Sequence, residues 1–364
     1  MKSLGILLAA ALSVVCDSAQ QATPPDQLLL KDYKPRSIFN IPQTRVGKAK
    51  FPVIDVHTHV YVTNQPGVDR WIVTMNDVGL DRSIILAGSS GQRFEDHVKL
   101  FSKYPDRFEL WCGFDLSGID NPDFTTKSVA ELVRCFRAGA KGVGELSDKG
   151  RGLSGAPGVH CDDPRLDPLF AKCAELGLPV NIHIGEDQWM YEPMDQHNDG
   201  LMNSFKWQIP KNPEVLGHAE VLATLPRMVK KHSNLTVIAC HLANCCADLN
   251  QLGAMLDQFP NLYADMGARF AEIGPIPRFM QKFFDKYQDR LLYGTDTGND
   301  PEMYRTSFRL LETEDEHIYP VHFGKYHWPL HGFALPDSIL KKIYRENALK
   351  ILNVAAQQQR KSRS

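Results

Sequence analysis

Eight short apolar runs, alternating with stretches of helix-forming sequence, constrain this chain more than any other feature. They are residues 53–59, 82–87, 108–114, 140–145, 179–184, 235–241, 261–265 and 290–296. One intervening helix is plain. Asp163-Pro164 offers an N-cap and first-turn pair, and Leu166, Leu169, Phe170, Cys173 and Ala174 form an apolar stripe. Gly177 stops it before Leu178-Pro-Val-Asn-Ile-His183. A second helix is expected around Ala219–Lys231, ahead of Leu235–His241. Eight strands alternating with helices over about 250 residues predict an α/β fold, a single (β/α)8 barrel of the TIM type. The alternative is an open doubly wound sheet, but no glycine-rich phosphate loop follows the first strand. Neither a second domain nor a low-complexity segment is evident.

The 364 residues are 43% hydrophobic and 23% charged, a globular balance with ample material for a large core. A formal charge of −2 leaves no basic footprint, so no nucleic-acid partner is expected. Met1-Lys2-Ser3 followed by Leu4–Leu12 and small residues around Cys16 to Ala19 has the layout of an export signal over 1–19. It predicts a periplasmic or secreted protein with no transmembrane span after signal removal. Ser13-Val-Val-Cys16 matches a lipid-anchoring site only weakly, because Val15 stands where a smaller residue is usual. Residues 20–50, with four prolines, are expected to be a linker or an arm wrapping the domain. The catalytic domain then spans 51–353, and 354–364 form a polar tail. Seven cysteines beyond the signal are scattered without disulfide or zinc-knuckle spacing, which suggests buried small hydrophobes.

In a barrel, side chains at the C-terminal ends of the strands face one mouth. Asp55-Val-His57-Thr-His59 closes the first run, and two residues two apart on a strand share a face. Glu145 closes the fourth run, His183 the fifth, His241 the sixth and Asp296 the eighth. Four imidazoles and two carboxylates thus converge, a donor set for a divalent metal.

These residues resemble the amidohydrolase superfamily. The Asp-Val-His-Thr-His start, His183 and His241 at strand ends, and Tyr293-Gly-Thr-Asp296 carry the resemblance. Glu346-Asn-Ala-Leu-Lys-Ile-Leu352 is similar to the closing helix of its amidohydrolase-related branch. That branch includes aminocarboxymuconate-semialdehyde decarboxylase, lactonases and many hydrolases. The resemblance implies His57, His59, His183 and Asp296 as metal ligands, with His241 beside the metal to polarise a carbonyl or shuttle a proton. Glu145 stands where many members place a carboxylated lysine bridging two metals, and in mononuclear members that position is not a ligand. One or two ions are therefore expected, zinc foremost, with manganese or iron as alternatives. Asp296, His241 and Glu145 are the candidate catalytic residues of a metal-dependent hydrolase acting on an amide, ester or lactone. A non-oxidative decarboxylase of an aromatic or muconate-type acid uses the same residues. A homodimer is the assembly that members often adopt.

Substrate contacts are expected in the strand-to-helix loops. The longest follows the fifth run, from Gly185 through Trp189 to Trp207, and mixes aromatic with polar groups. Arg269 would clamp a substrate carboxylate, and Asn244 is a weaker candidate. His317, His322, His327 and His331 lack ligand spacing and are expected in loops. Three competing readings stand beside the hydrolase. A TatD-like metal-dependent nuclease shares Gly144-Glu145, but the sequence lacks an acidic residue two positions before Asp296 and any basic run. The polymerase-and-histidinol-phosphatase type expects further histidine ligands, and a non-catalytic binding protein would hold no metal.

Overall fold

Helix Gln65–Val78 shows how local sequence sets the elements. The Asn64 side chain accepts from the Gly67 N–H at 2.9 Å, Pro66 occupies the first turn, and Gly79 ends the helix at φ 89°. Val68, Trp71, Met75 and Val78, spaced three or four apart, are its buried face. The helix expected after Asp163 is built in two steps. Asp163 caps a 3-10 turn, Pro164–Leu166, and the α-helix runs Asp167–Leu176 before Gly177 stops it in the left-handed conformation. The one expected around 219–231 is divided into His218–Leu222 and Thr224–Lys231.

This computed structural model describes residues 23–320, 323 and 326–363. The expected export signal, Cys16 and His322 lie outside the described residues. Residues 23–34 form a unit of their own, with a 3-10 turn at Leu30–Asp32. The remainder carries eight strands. They are β1 (Val53–Thr58), β2 (Leu80–Leu86), β3 (Phe108–Trp111), β4 (Val143–Asp148), β5 (Val180–Ile184), β6 (Val237–Ala239), β7 (Leu262–Asp265) and β8 (Leu291–Leu292).

All strand pairs are parallel, in two sheets ordered β1-β2-β3 and β4-β5-β6-β7-β8. The sheets also meet at their edges. Cys112, past the end of β3, bridges Val143 of β4. The Val56 N–H donates to Tyr293 O at 3.0 Å and the Asp296 N–H to His57 O at 2.9 Å, joining β1 to the exit of β8. β8 is far shorter than the run 290–296 because Tyr293 to Asp296 leave the ladder to make these contacts.

Ile54, Val56, Ile84, Leu86, Trp111, Ile238, Tyr263 and Leu292 cluster together from six of the strands. Ala348, Ile351 and Leu352 of the closing helix, Asn347–Arg363, pack onto that cluster. Asn347 fixes the helix start by donating to Gln288 O (2.7 Å) and Leu291 O (2.8 Å). A larger apolar cluster fills the space between the strands and the other helices. On the opposite side of the chain, Thr44 donates through its N–H and hydroxyl to Asp315, at 2.7 and 2.8 Å, and so ties residues near 44 down. All seven described cysteines are buried and unpaired, as their spacing suggested. Among the described residues no helix is long and apolar enough to cross a membrane.

Candidate metal centre

Strict alternation along β1 would carry Asp55 to the same face as His57. The pairing with β2 instead shifts register between Asp55 and Thr58, and the two residues part. Asp55 accepts from the Thr295 and Tyr304 hydroxyls at 2.6 and 3.2 Å, which pins β1 to the exit of β8. His57 turns the other way. Its Nδ1 lies 3.0 Å from Asp265 Oδ2 on β7, and that carboxylate also accepts from Asn181 Nδ2 and from the N–H groups of His241 and Gly267.

His59 lies just past the end of β1, with Nδ1 2.9 Å from Leu86 O. His241 places its Nδ1 2.7 Å from Gly267 O. A carbonyl only accepts, so in both rings the hydrogen sits on Nδ1 and the Nε2 lone pair is presented. Those nitrogens converge. His59 Nε2 is 3.0 Å from Asp296 Oδ1 and 3.6 Å from Glu145 Oε2. His241 Nε2 is 3.2 Å from Glu145 Oε1 and 2.9 Å from His183 Nδ1. His57 Nε2, fully buried and without a hydrogen-bond partner, faces Glu145 and Asp296 at 3.8 Å each.

The sequence expectation put Glu145 at a strand end and left its part open. It lies within β4, where the register with β5 shifts between Val143 and Leu146, and its oxygens face all four imidazoles. Gly144 before it must be small, since a Cβ there would stand 2.8 Å from Asn181 Cβ. His183, on β5, directs Nδ1 to Glu145 Oε1 at 2.8 Å and holds Nε2 3.5 Å from Glu186 Oε1. His241 does not end β6, which stops at Ala239. It opens a tight turn in which His241, Leu242, Ala243 and Asn244 all have φ between 53° and 59°. Left-handed backbone costs a non-glycine residue about 1–2 kcal/mol. The turn is held by Asp265 below and by Asn244, whose side-chain amide donates to Ile184 O and Gly185 O at 3.0 and 3.1 Å.

Charge follows from this geometry. Burial opposes a protonated His57, but Asp265, Asp296 and Glu145 outweigh it and push the imidazole up to about 10. His183 is likewise raised to about 9, against burial, by Glu145 and Glu186. Glu145 is held well below the usual carboxylate range by His183 and His241 in spite of its burial. His241 moves the other way, lowered by burial and by His183 beside it. Three carboxylates among imidazoles with fixed lone pairs are what a divalent cation neutralises. His183 Nδ1 and His241 Nε2, 2.9 Å apart, stand side by side as two nitrogens that could be held by one ion.

Two compact donor sets result, His57, Glu145, Cys240 and His241 in one and His57, His59 and Asp296 in the other, each with all atoms within 4.8 Å. Cys240 had been expected as an inert core thiol. Its position next to His241 was the only signal otherwise, and Sγ donates to Asn181 Oδ1 at 2.7 Å. Asp265 and Asn181 were also missed, because a residue that orients a ligand leaves no spacing motif.

The three expected substrate contacts already have partners within the chain, and of them Arg269 lines the cavity over the donor cluster. Arg269 does not offer a free guanidinium. It is buried, with Nε 3.0 Å from Asn244 Oδ1 and 3.2 Å from Asp187 Oδ2, and further contacts to Glu186 and Ala268 O. Asn244 is wholly buried, its side chain used by Arg269 and by the β5 carbonyls. Trp189 faces a different hollow, with Glu192, Pro193 and Asn198, and packs on Trp328. A cavity of about 290 Å³ opens over His183, His241 and Asp296, and the long loop reaches it instead through Met190, Asn203 and Trp207. Of the late histidines, His317, His327 and His331 lie in loops, outside both donor sets.

Residues 54–354 match the amidohydrolase family. No curated protein matches the chain. Among solved structures, an uncharacterized TIM-barrel protein from Bordetella bronchiseptica is similar at a TM-score of 0.57 and 16% identity, covering 84% of this chain and 100% of that one. A 2,6-dihydroxybenzoate decarboxylase from Rhizobium is similar at 0.51 and 15%, covering 85% and 99%. A 4-oxalomesaconate hydratase from Rhodopseudomonas palustris is similar at 0.50 and 14%, covering 85% and 98%. These likenesses concern the fold, a parallel α/β arrangement shared with TIM-barrel proteins, while the family match extends over most of the sequence. The chain belongs to the amidohydrolase family.

Proposed function

We propose that this chain is a metal-dependent hydrolase of small organic amides, esters or lactones, built as one closed (β/α)8 barrel over residues 51–353. The observation that carries the reading is the convergence of His57, His59, His183 and His241 on Glu145 and Asp296, with the buried His57 Nε2 unpartnered. The donors are hard oxygen and intermediate nitrogen, which suits zinc, and manganese or iron as well. Bound there, a divalent cation supplies Lewis acidity and acidifies water.

The remaining work falls to side chains. Asp296 belongs both to a donor set and to the cavity wall. Its Oδ2, 3.9 Å from His241 Nε2, is placed to take a proton from water attacking a carbonyl carbon. His241, with its hydrogen on Nδ1, presents a lone pair and serves as a ligand or proton acceptor, which favours the proton-shuttling part of the two expected for it. Asp265 and the Leu86 and Gly267 carbonyls orient His57, His59 and His241. Glu145, facing the imidazoles with both oxygens, fits one ion or a bridge between two.

The same residues serve a decarboxylase, the activity named for the Rhizobium structure. Hydrolysis is the first reading because Asp296, the carboxylate that joins a donor set to the cavity wall, is a proton acceptor; decarboxylation would instead draw on His183 or His241 of the same wall as proton donor to the ring carbon. We further propose that residues 1–19 direct export and 20–50 form an arm, which N-terminal sequencing of protein recovered from the periplasm or medium tests.

Metal content per chain, measured by mass spectrometry on wild type and Asp296→Asn, tests the central reading. About one or two transition-metal ions, reduced in the variant, are expected. Esters, lactones, amides and aromatic acids are then assayed with that metal, and release of carbon dioxide without hydrolysis selects the decarboxylase. No metal after reconstitution overturns the enzyme reading in favour of a binding protein.

A further inference from the structure

The cavity over the donor cluster has walls that the donors do not supply. Besides His183, His241 and Asp296 it is lined by Lys149 from the segment after β4, by Glu186, Met190, Asn203 and Trp207 from the loop after β5, and by Glu272 and Phe323. Two cations reach this wall among the described residues, Lys149 and Arg269. Arg269 is buried and engaged by Asn244, Asp187, Glu186 and a backbone carbonyl, so its fork is occupied. Lys149 differs. Its side chain is 43% exposed, its ammonium pairs with Glu186 Oε1, and it lies 5.7 Å from the centre of the Trp207 ring. Glu186 divides its charge, for its Oε2 lies 3.2 Å from Arg269 and its Oε1 3.5 Å from His183 Nε2. One carboxylate shared among three positive or donor groups leaves Lys149 under-compensated, and an ammonium has three N–H donors of which this pairing needs one.

We propose that Lys149 and Trp207 form an anion subsite that selects substrates carrying a carboxylate remote from the carbonyl under attack, on a flat apolar body. This rests on the hydrolase reading for the position of the reacting end. The physical logic is division of labour across a cavity of about 290 Å³, room for a molecule of one ring and its substituents. His183, His241 and Asp296 supply one part of the wall. Across Glu186 from His183, a part-exposed lysine with three rotatable donors accepts a carboxylate without fixed geometry, and Trp207, 55% exposed, offers its indole to the apolar body. A neutral substrate would leave Lys149 facing Glu186 alone and gain nothing from it. Lys149 stands four residues beyond Glu145 and Trp207 closes the long loop, so selectivity is supplied by segments that the donor cluster does not use.

The test uses metal-loaded full-length protein and three probes that differ in one group: isophthalate with two carboxylates, benzoate with one and benzamide with none. Binding is followed by calorimetry in wild type, Lys149→Met, Lys149→Arg and Trp207→Leu, with metal content and circular dichroism recorded for each. Isophthalate is expected to bind about tenfold more tightly than benzoate to wild type. Lys149→Met should erase that preference while leaving benzoate within a factor of about two, and Lys149→Arg should restore most of it. Trp207→Leu should weaken both acids together. Equal binding of isophthalate and benzoate to wild type overturns the subsite, as does an unchanged preference in Lys149→Met, or no binding of either acid to a protein that holds its metal. Absence of metal from wild type overturns the hydrolase reading and the subsite with it, so the two failures are told apart by the metal content.

Discussion

At the scale of single residues, the centre depends as much on what holds the imidazoles as on the imidazoles themselves. Asp265 is the clearest case. It is fully buried, held ionised below the usual carboxylate range by His57 and His241 in spite of its burial, and it orients both. Asp265→Asn should leave the protein folded and weaken metal binding about 10–100-fold, measured by competition with a chromogenic chelator. Unchanged affinity would show that His57 needs no such partner. His57→Ala and His183→Ala should abolish turnover with the circular dichroism spectrum preserved. Glu145→Gln separates the alternatives left for that residue, since unchanged metal content and rate would remove it from the centre. The ligands were legible in the sequence because strand ends repeat and histidines are rare. Asp265, Asn181 and Cys240 were not, because residues that act through another side chain are recognised only once the strands are side by side. The types of Arg269, Asn244 and Trp189 suit a substrate, and sequence cannot show that each also has a partner elsewhere in the chain.

At the scale of elements, the strand ends are shaped by irregularities. Register shifts in β1 and β4 aim His57 and Glu145, and a left-handed turn after β6 aims His241. Apolar runs mark where strands lie: every expected run overlaps its strand, although β4 begins and ends later than its run and β6 and β8 are much shorter than theirs. Periodicity cannot mark a one-residue shift, which is why Glu145 and His241 were both expected at strand ends, whereas Glu145 lies within β4 and His241 past β6. Close packing around His57 adds a constraint. A Cβ at Gly294 would stand 2.8 Å from His57 Cβ, and one at Gly267 2.9 Å from His57 Nδ1. Gly294→Ala should therefore displace β1 at its exit, lowering stability by about 1–3 kcal/mol and reducing metal content more than the loss of stability alone explains. Thermal denaturation with metal analysis of the folded fraction checks both.

At the scale of the whole molecule, a buried charge network beside the centre links stability to pH. Glu272 is pushed up to about 8 from 4.5 by burial and by Asp187, against the pull of Arg269 and the Tyr326 hydroxyl. An acid whose pKa is higher in the folded state lends stability that is complete below its unfolded value. Wild type should thus lose stability as pH rises from about 4.5 through about 8, and Glu272→Gln should flatten that slope. Denaturant midpoints at several pH values decide it, and parallel curves for the two proteins would place the effect elsewhere. The seven enclosed cysteines carry a different consequence. A thiol reagent added to the native protein has no sulfur to attack among them until the chain opens, so the rate of modification becomes a clock for opening. Under native conditions the trapping of these thiols, followed by peptide mass, should keep pace with unfolding and not with reagent concentration. The same enclosure keeps seven potential cross-linking partners apart in an oxidising medium for as long as the fold stays shut.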